Sequence, residues 1–245
     1  MDQVTLSSVL TFIGTVLEAG LLVVLVRRRL VASLWGVTVY LLATVSIGVI
    51  RSYTVETYGF ASAQYRSCYW TTDLLLVLAV FVLVTSFFRR ACSEKSEMWR
   101  HIRLLLGTVF VLIAGMSALS LSGHRGPIFS SFIVKFSQNL YFACLVLTTL
   151  LYLLTLRMEI SDERLAFLVC GLGIEFAGPT AGLAFYYLSR GDMGHLIGGF
   201  LVPLCDMGMI FTWLYAISRV PETARTRPTA VQRRPVFAEE SISNY

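Results

Sequence analysis

Charge is scarce in this chain of 245 residues: 14% of them are charged and 56% are hydrophobic, against about 25% charged in soluble domains. The deficit excludes an ordinary water-soluble globule, in keeping with a mean hydropathy of +0.71. Lysine is nearly missing, with Lys95 and Lys135 alone. A retinal protein needs a Schiff-base lysine in its last helix, so that chemistry is excluded. The three histidines, His101, His124 and His195, fall at or near the ends of apolar stretches, and no HExxH pair, GxSxG elbow or P-loop occurs. Ser120, Ser122 and His124 are close in sequence but read as an ordinary loop. The expectation is a non-enzymatic protein with no catalytic residue, no cofactor and no metal. The five cysteines have no CxxC or CxxxC spacing. Cys144, Cys170 and Cys205 lie inside apolar stretches as small fillers, and Cys68 has no partner on its own side, so no internal disulfide is expected. Neither terminus carries a lipidation motif. No repeat is convincing, and an odd number of spans does not divide into the equal inverted halves of many secondary transporters.

What the chain has in abundance is long apolar runs. They cover Thr5 to Val26, Leu30 to Ile50, Ser67 to Phe88, Leu104 to Leu121, Phe132 to Leu154, Leu165 to Leu188 and Leu196 to Ile217. Each is close to the roughly 17 to 25 residues that a helix needs to cross the hydrocarbon. The fold expected is all-α: a polytopic membrane protein whose residues 1–218 form a seven-transmembrane-helix bundle. The first run follows Asp2 and precedes Arg27, Arg28 and Arg29, the reverse of a secretion signal, and reads as a retained span. Basic residues then alternate by side. Arg27 to Arg29, the Arg89 to Arg103 segment, Arg157 with Arg164, and the arginines from Arg219 onward fall on one side. The other has only Arg51, Arg66, Arg125 and Arg190. The positive-inside rule makes this an N-out, C-in protein, multi-pass in a cell inner membrane or plasma membrane. The net charge of +5 is accordingly a membrane-surface feature, and no soluble basic module for nucleic acid is present.

The connections expected on the sparsely charged side, Ser52 to Arg66, Ser122 to Ser131 and Ser189 to His195, are too short to hide a ligand-binding domain. On the basic side, Ser93, Glu94, Ser96 and Glu97 form a helix-start pattern leading into the fourth span, with Trp99 as an interfacial anchor. Residues 219–245, with Pro221, Pro228, Pro235 and five arginines, read as a disordered basic cytoplasmic tail. Its plain role is adhesion to anionic lipid, at about 1 kcal/mol per arginine near the surface. Its sharper one is recruitment of a cytoplasmic protein partner.

Four carboxylic acids lie inside the apolar runs. Counting at 1.5 Å per residue from each midpoint puts Glu18, Glu175 and Asp206 within about 4 Å of the centre, and Asp73 about 7 Å towards the outside. An ionisable group at that depth costs about 2.5 to 3.5 kcal/mol on insertion scales, so these side chains should turn inward. Lys135, Gln138 and Asn139 share a helical face, and the expected pairing is Asp73 with Lys135, relayed by Asn139. The competing expectation is that Lys135 snorkels outward. The other three acids have no cation at their depth. Their structural reading is interhelical hydrogen bonding, and their functional readings are proton relay, cation coordination or recognition of a polar ligand. Gly171, Gly173, Gly178 and Pro179 in span six, and Gly198, Gly199 and Pro203 in span seven, allow close contact and bending beside these acids. The expected site lies between spans one, three, six and seven, with Tyr69, Trp70 and Asp73 on its outer side.

Seven helices with an outside N-terminus resemble rhodopsins and G-protein-coupled receptors in topology, but the Asp-Arg-Tyr and Asn-Pro-x-x-Tyr signatures are absent. Tyr69, Trp70, Thr71, Thr72 and Asp73, the Arg89 and Arg90 exit, and the late Trp213, Leu214 and Tyr215 resemble small uncharacterised bacterial seven-helix integral membrane proteins. They also resemble, over the seven-span core, the membrane sensor regions of histidine kinases. That resemblance implies a sensor or accessory signalling subunit, and with no kinase domain following, its signal would pass to a separate protein. The alternatives are a proton- or cation-coupled small-molecule transporter and a purely structural membrane subunit.

Overall fold

Without water to satisfy peptide groups, a chain this apolar must satisfy them internally, and helices do so. The computed structural model describes residues 3–59, 61–93, 96–119, 128–157, 162–188 and 192–219. Within these helices, side chains are described from 12 in the first, from 97 in the fourth, from 132 in the fifth, to 181 in the sixth and from 201 in the seventh. The described residues form α1 (Gln3–Arg27), α2 (Trp35–Tyr58), α3 (Ala63–Ala91), α4 (Ser96–Leu119), α5 (Ile128–Arg157), α6 (Glu163–Leu188) and α7 (Asp192–Arg219). Six of them, α2 to α7, are long and apolar enough to cross a membrane. The protein is thus an all-α, multi-pass membrane protein by hydropathy. The basic tail expected over 219–245 lies outside the described residues, apart from Arg219, as do Glu94, Lys95 and the loop carrying His124.

Several helices outrun their apolar stretches. The connection expected over Ser52 to Arg66 shrinks to residues 59–62, because α2 continues to Tyr58 and α3 starts at Ala63. Ser62 caps α3 by accepting from the Tyr65 amide at 3.0 Å, so one orphan donor of the first turn is satisfied. Arg51 is consequently a helix residue and not a loop residue. The Ser-plus-acid start of α4 is present, with Glu97 in its first turn.

Helix α1 ends in a Schellman motif: the Leu30 amide bonds Leu25 O at 3.1 Å and the Arg29 amide bonds Val26 O at 3.0 Å. Leu30 and Leu25 are both buried there, the apolar contact that accompanies this cap. Arg29 supplies its left-handed residue, with φ 56°.

The helices form a ring in which α7 closes back onto α1, α6 packs most extensively on α7, and α3 runs through the middle, touching α2, α4, α5 and α6. Helix α4 is peripheral, meeting α5 and, more lightly, α3, and Leu104, Leu105, Val111, Leu112 and Met116 are bare. In a bilayer that is the ordinary state of a lipid-facing helix. At the basic end, Arg90 of α3 holds two connections together. Its Nε lies 2.7 Å from Asp162 Oδ2, and its Nη1 donates to the Ser33 hydroxyl at 3.3 Å. Asp162 also accepts from the Leu165 amide at 3.2 Å, capping α6. Nearby, Arg28 Nη1 donates to Ile217 O at 3.2 Å, tying the end of α1 to the last turn of α7.

Candidate functional site

Three of the four intramembrane acids come together. Glu18 is buried, 7% exposed, and Thr44 of α2, whose hydroxyl donates to Leu41 O at 3.1 Å, lies beside its carboxyl group. Asp206 faces α1: its Oδ2 lies 3.1 Å from where a Cβ on Gly14 would be. Gly14 and Glu18 are one turn apart on the same face of α1, so the missing side chain at Gly14 leaves room for the aspartate beside the glutamate. Asp206 and Glu18 are each close enough to Glu175 for their charges to act on it, and Asp206 acts likewise on Glu18. Counted from the basic ends of their helices, Glu18, Glu175 and Asp206 sit at about 14, 18 and 20 Å. By this count they share one layer.

Glu175 is the least satisfied member of this layer. Its Oε2 is buried with no hydrogen-bond partner. Proline at 179, inside α6, has no N–H to give the carbonyl one turn earlier, which is that of Glu175 itself. One residue therefore offers two acceptors, a side-chain oxygen and a backbone carbonyl freed by Pro179. Thr180 does not relieve it, since its hydroxyl donates to Phe176 O at 2.7 Å. What this oxygen lacks is a hydrogen-bond partner.

Two aromatic pairs stand around the acids. Tyr40 of α2 meets Trp213 of α7 edge to face at 5.7 Å, and Tyr141 of α5 meets Phe176 of α6 at 4.9 Å. Tyr40 is in electrostatic reach of all three carboxylates, and Tyr141 of Glu175 and Asp206. Neither tyrosine stands out in the sequence, where each is one of eleven. The one signal that could have found Tyr40 is its position one turn before Thr44, on the α2 face turned to Glu18. Trp213 is held by a 2.8 Å bond from Nε1 to Leu168 O and lies over Gly171, where a Cβ would be 2.6 Å from its Cδ1.

Asp73 stands apart. The cation at ion-pair distance is Arg51 of α2, 4.0 Å from Nη2 to Oδ1, where the sequence pointed to Lys135. The reason is geometric: α2 and α3 are antiparallel neighbours joined by a short connection, which brings Arg51 level with Asp73. Asn139, expected to relay that pair, donates to Ser117 of α4 at 3.3 Å instead. Tyr69 and Trp70 belong to the Arg51 cluster. The guanidinium lies 4.4 Å from the Tyr69 ring centroid, donates to Tyr69 O at 3.3 Å and to the Thr72 hydroxyl at 2.8 Å, and Trp70 packs edge-on against Tyr69. The acid layer is thus built by α1, α2, α5, α6 and α7, with α2 and α5 in the place expected of α3.

Among the described residues no three His, Cys, Asp or Glu side chains converge closely enough to hold a metal ion. No known protein family, curated protein or solved structure matches this chain.

Proposed function

We propose that the protein is a non-enzymatic membrane sensor or accessory signalling subunit, threaded N-out and C-in, whose polar core responds to a proton or a small donor-bearing ligand. The observation that carries this reading is the buried, partnerless Oε2 of Glu175 beside two further carboxylates. A buried acceptor without a donor costs about 1 to 3 kcal/mol. Any species that supplies the donor favours the helix arrangement that best accommodates it, which is how a ligand shifts a conformational equilibrium. The layer bridges α1 and α7, and at the basic end the same two helices are tied by Arg28 and Ile217 O. A change of contact at Asp206 and Gly14 would reach that end through α1 and α7 as rigid bodies. In this reading the tail adheres to anionic lipid and presents the response to a cytoplasmic protein partner.

The test is reconstitution of the full chain with Glu18→Gln, Glu175→Gln and Asp206→Asn singly and together. Spin labels at the basic ends of α1 and α7 report their separation between pH 5 and 8. A sensor shows a pH- or ligand-dependent separation that the substitutions abolish, and no ion-dependent uptake before or after mutation. Uptake in proteoliposomes that disappears with the acids would replace this reading with a carrier. Labels that never move, with only thermal stability altered, would leave a structural subunit.

A further inference from the structure

The acid layer divides the bundle into two halves of different character. Towards the basic end, Leu21 and Leu25 of α1, Leu41 of α2, Leu83 of α3, Leu168 of α6 and Trp213 of α7 are 0 to 2% exposed. They lie about 3 to 12 Å from the basic ends of their helices, below the acids at about 14 to 20 Å. The buried hydroxyls of α2 and α3 at this level are spent within their own helices: Thr38 donates to Leu34 O at 3.1 Å and Ser86 to Leu83 O at 2.7 Å. A buried water needs about three polar partners, and these side chains offer it none. Tight contacts also fix this half. Trp213 Nε1 donates to Leu168 O, its ring fills the place that a side chain on Gly171 would take, and Arg28 ties α1 to Ile217 O.

Away from the basic end the polar groups continue. Tyr141 is in electrostatic reach of Glu175, Asp206 and Asp73, and by residue count it stands at about 24 Å and Asp73 at about 27 Å from the basic ends of their helices. The Asp73 and Arg51 side chains there are 29% and 25% exposed. The backbone loosens on the same side. Pro179 in α6 lies one turn beyond Glu175, and Pro203 in α7 just under a turn beyond Asp206, both away from the basic end. Each proline removes one helical hydrogen bond and is a usual cause of kinks, so each helix carries a break next to its acid. Between the breaks the two helices touch closely, since a Cβ on Gly178 would stand 2.9 Å from Cys205 Cβ. Their outer segments therefore move as a pair, away from α1 and α5. Asp206 rests against Gly14 of α1, and that movement uncovers it.

We propose that the acid layer is reached only from the end opposite the basic one, when the outer segments of α6 and α7 part from α1 and α5 about Pro179 and Pro203 while the basic half stays shut. The inference rests on the reading of the layer as a sensing site and assigns the aqueous phase that it senses; a layer reached from that end but without effect on α1 and α7 would keep the access and remove the sensor. The full chain, with its five cysteines replaced by alanine, is placed in proteoliposomes of uniform orientation. A quaternary-ammonium methanethiosulfonate, which does not cross bilayers, is added outside or loaded inside. Thr57→Cys and Arg100→Cys, both at exposed positions, mark the two faces. Asp206→Cys should react about tenfold or more faster from the Thr57 face, because a charged reagent has no hydrated route through the sealed half. Leu168→Cys, in the seal, should react from neither face. Pro179→Ala with Pro203→Ala should slow the Asp206→Cys reaction about fivefold, the value of one restored hydrogen bond. Equal rates from the two faces, a faster rate from the Arg100 face, or no reaction from either overturns the proposal. A double proline variant that reacts as fast as the original removes the hinge. If the cysteine-free protein does not fold, a quaternary-ammonium carbodiimide applied to the unaltered chain from each face, with modified Glu18, Glu175 and Asp206 mapped, gives the same decision.

Discussion

Helix α6 meets its two neighbours in opposite ways. Towards α7 its glycines are contact points: Gly171 receives the Trp213 ring, and a Cβ on Gly178 would stand 2.9 Å from Cys205 Cβ. Towards α5, Gly173 borders vacant space. Residues of the same type, two positions apart on one helix, thus serve close packing on one side and an opening on the other. Lipid tails are as apolar as leucine, so helices in a bilayer gain from fit and from hydrogen bonds more than from burial. The α6–α7 contact has both, the Trp213 to Leu168 bond included. The α5–α6 contact has neither in full, since a groove remains between them and Thr148 Oγ1 is buried beside it without a partner. Glu175 and Asp206 therefore ride on a firm pair, and adjustment falls to the boundaries with α1 and α5.

The contrast is broken most severely at Gly171. Replacement by leucine pushes four carbons into the position of Trp213 and should lower stability by about 3 kcal/mol or more, at the upper end of overpacking effects. Thermal unfolding of the purified protein in detergent measures it. A Gly171→Leu protein as stable as the original would mean that the α6–α7 seam is looser than its geometry. Next comes Trp213→Phe, which removes the donor to Leu168 O and leaves a partial cavity against Tyr40. A loss of about 2 kcal/mol is expected from the hydrogen bond and the vacated volume together, read as a lowered unfolding midpoint in the same assay.

How far such a contrast is visible beforehand follows from what hydropathy encodes. Run length and loop charge gave the helices, and counting residues gave the common depth of Glu18, Glu175 and Asp206, because rise per residue is fixed. Depth carries no information on azimuth or on neighbours. Arg51 reads as a loop charge because its apolar run stops at Ile50, yet α2 continues for another two turns and carries it to Asp73. Lys135 and Asn139 had the right depth to serve Asp73, and Asn139 turned out to face Ser117 of α4. Tyr40 and Tyr141 were indistinguishable from interfacial aromatics, and only the packing of α2 and α5 reveals them beside the acids. In the same way Gly171, Gly173 and Gly178 read as equivalent small residues until Trp213, an empty groove and Cys205 are set against them.

The open side should answer oppositely to the closed one. Gly173→Leu adds a side chain to unoccupied space and removes a glycine from a helix interior, a change favourable by about 0.8 kcal/mol from backbone freedom alone. Its unfolding midpoint should rise or stay level, where Gly171→Leu falls. A large loss at Gly173 would show that the two faces of α6 are equally tight and would remove the groove.

The smallest effect belongs to the floor of that groove. Thr148→Val keeps the shape of the side chain and exchanges a partnerless buried hydroxyl for a methyl group, so no hydrogen bond is lost and a desolvation cost disappears. In protein stripped of lipophiles by detergent exchange, stability should increase by about 1 kcal/mol, the low end of the penalty for an unsatisfied buried donor. Thr155→Val serves as the control, since Thr155 does bond Tyr152 O and gains nothing from losing its oxygen. If both variants shift the midpoint by the same amount, the Thr148 hydroxyl has turned to its own helix, and the two sides of α6 differ in volume but not in polarity. If only Thr148→Val is stabilised, the hydroxyl is held unsatisfied inside the α5–α6 wall, and the two sides of α6 differ in polarity as well as in volume.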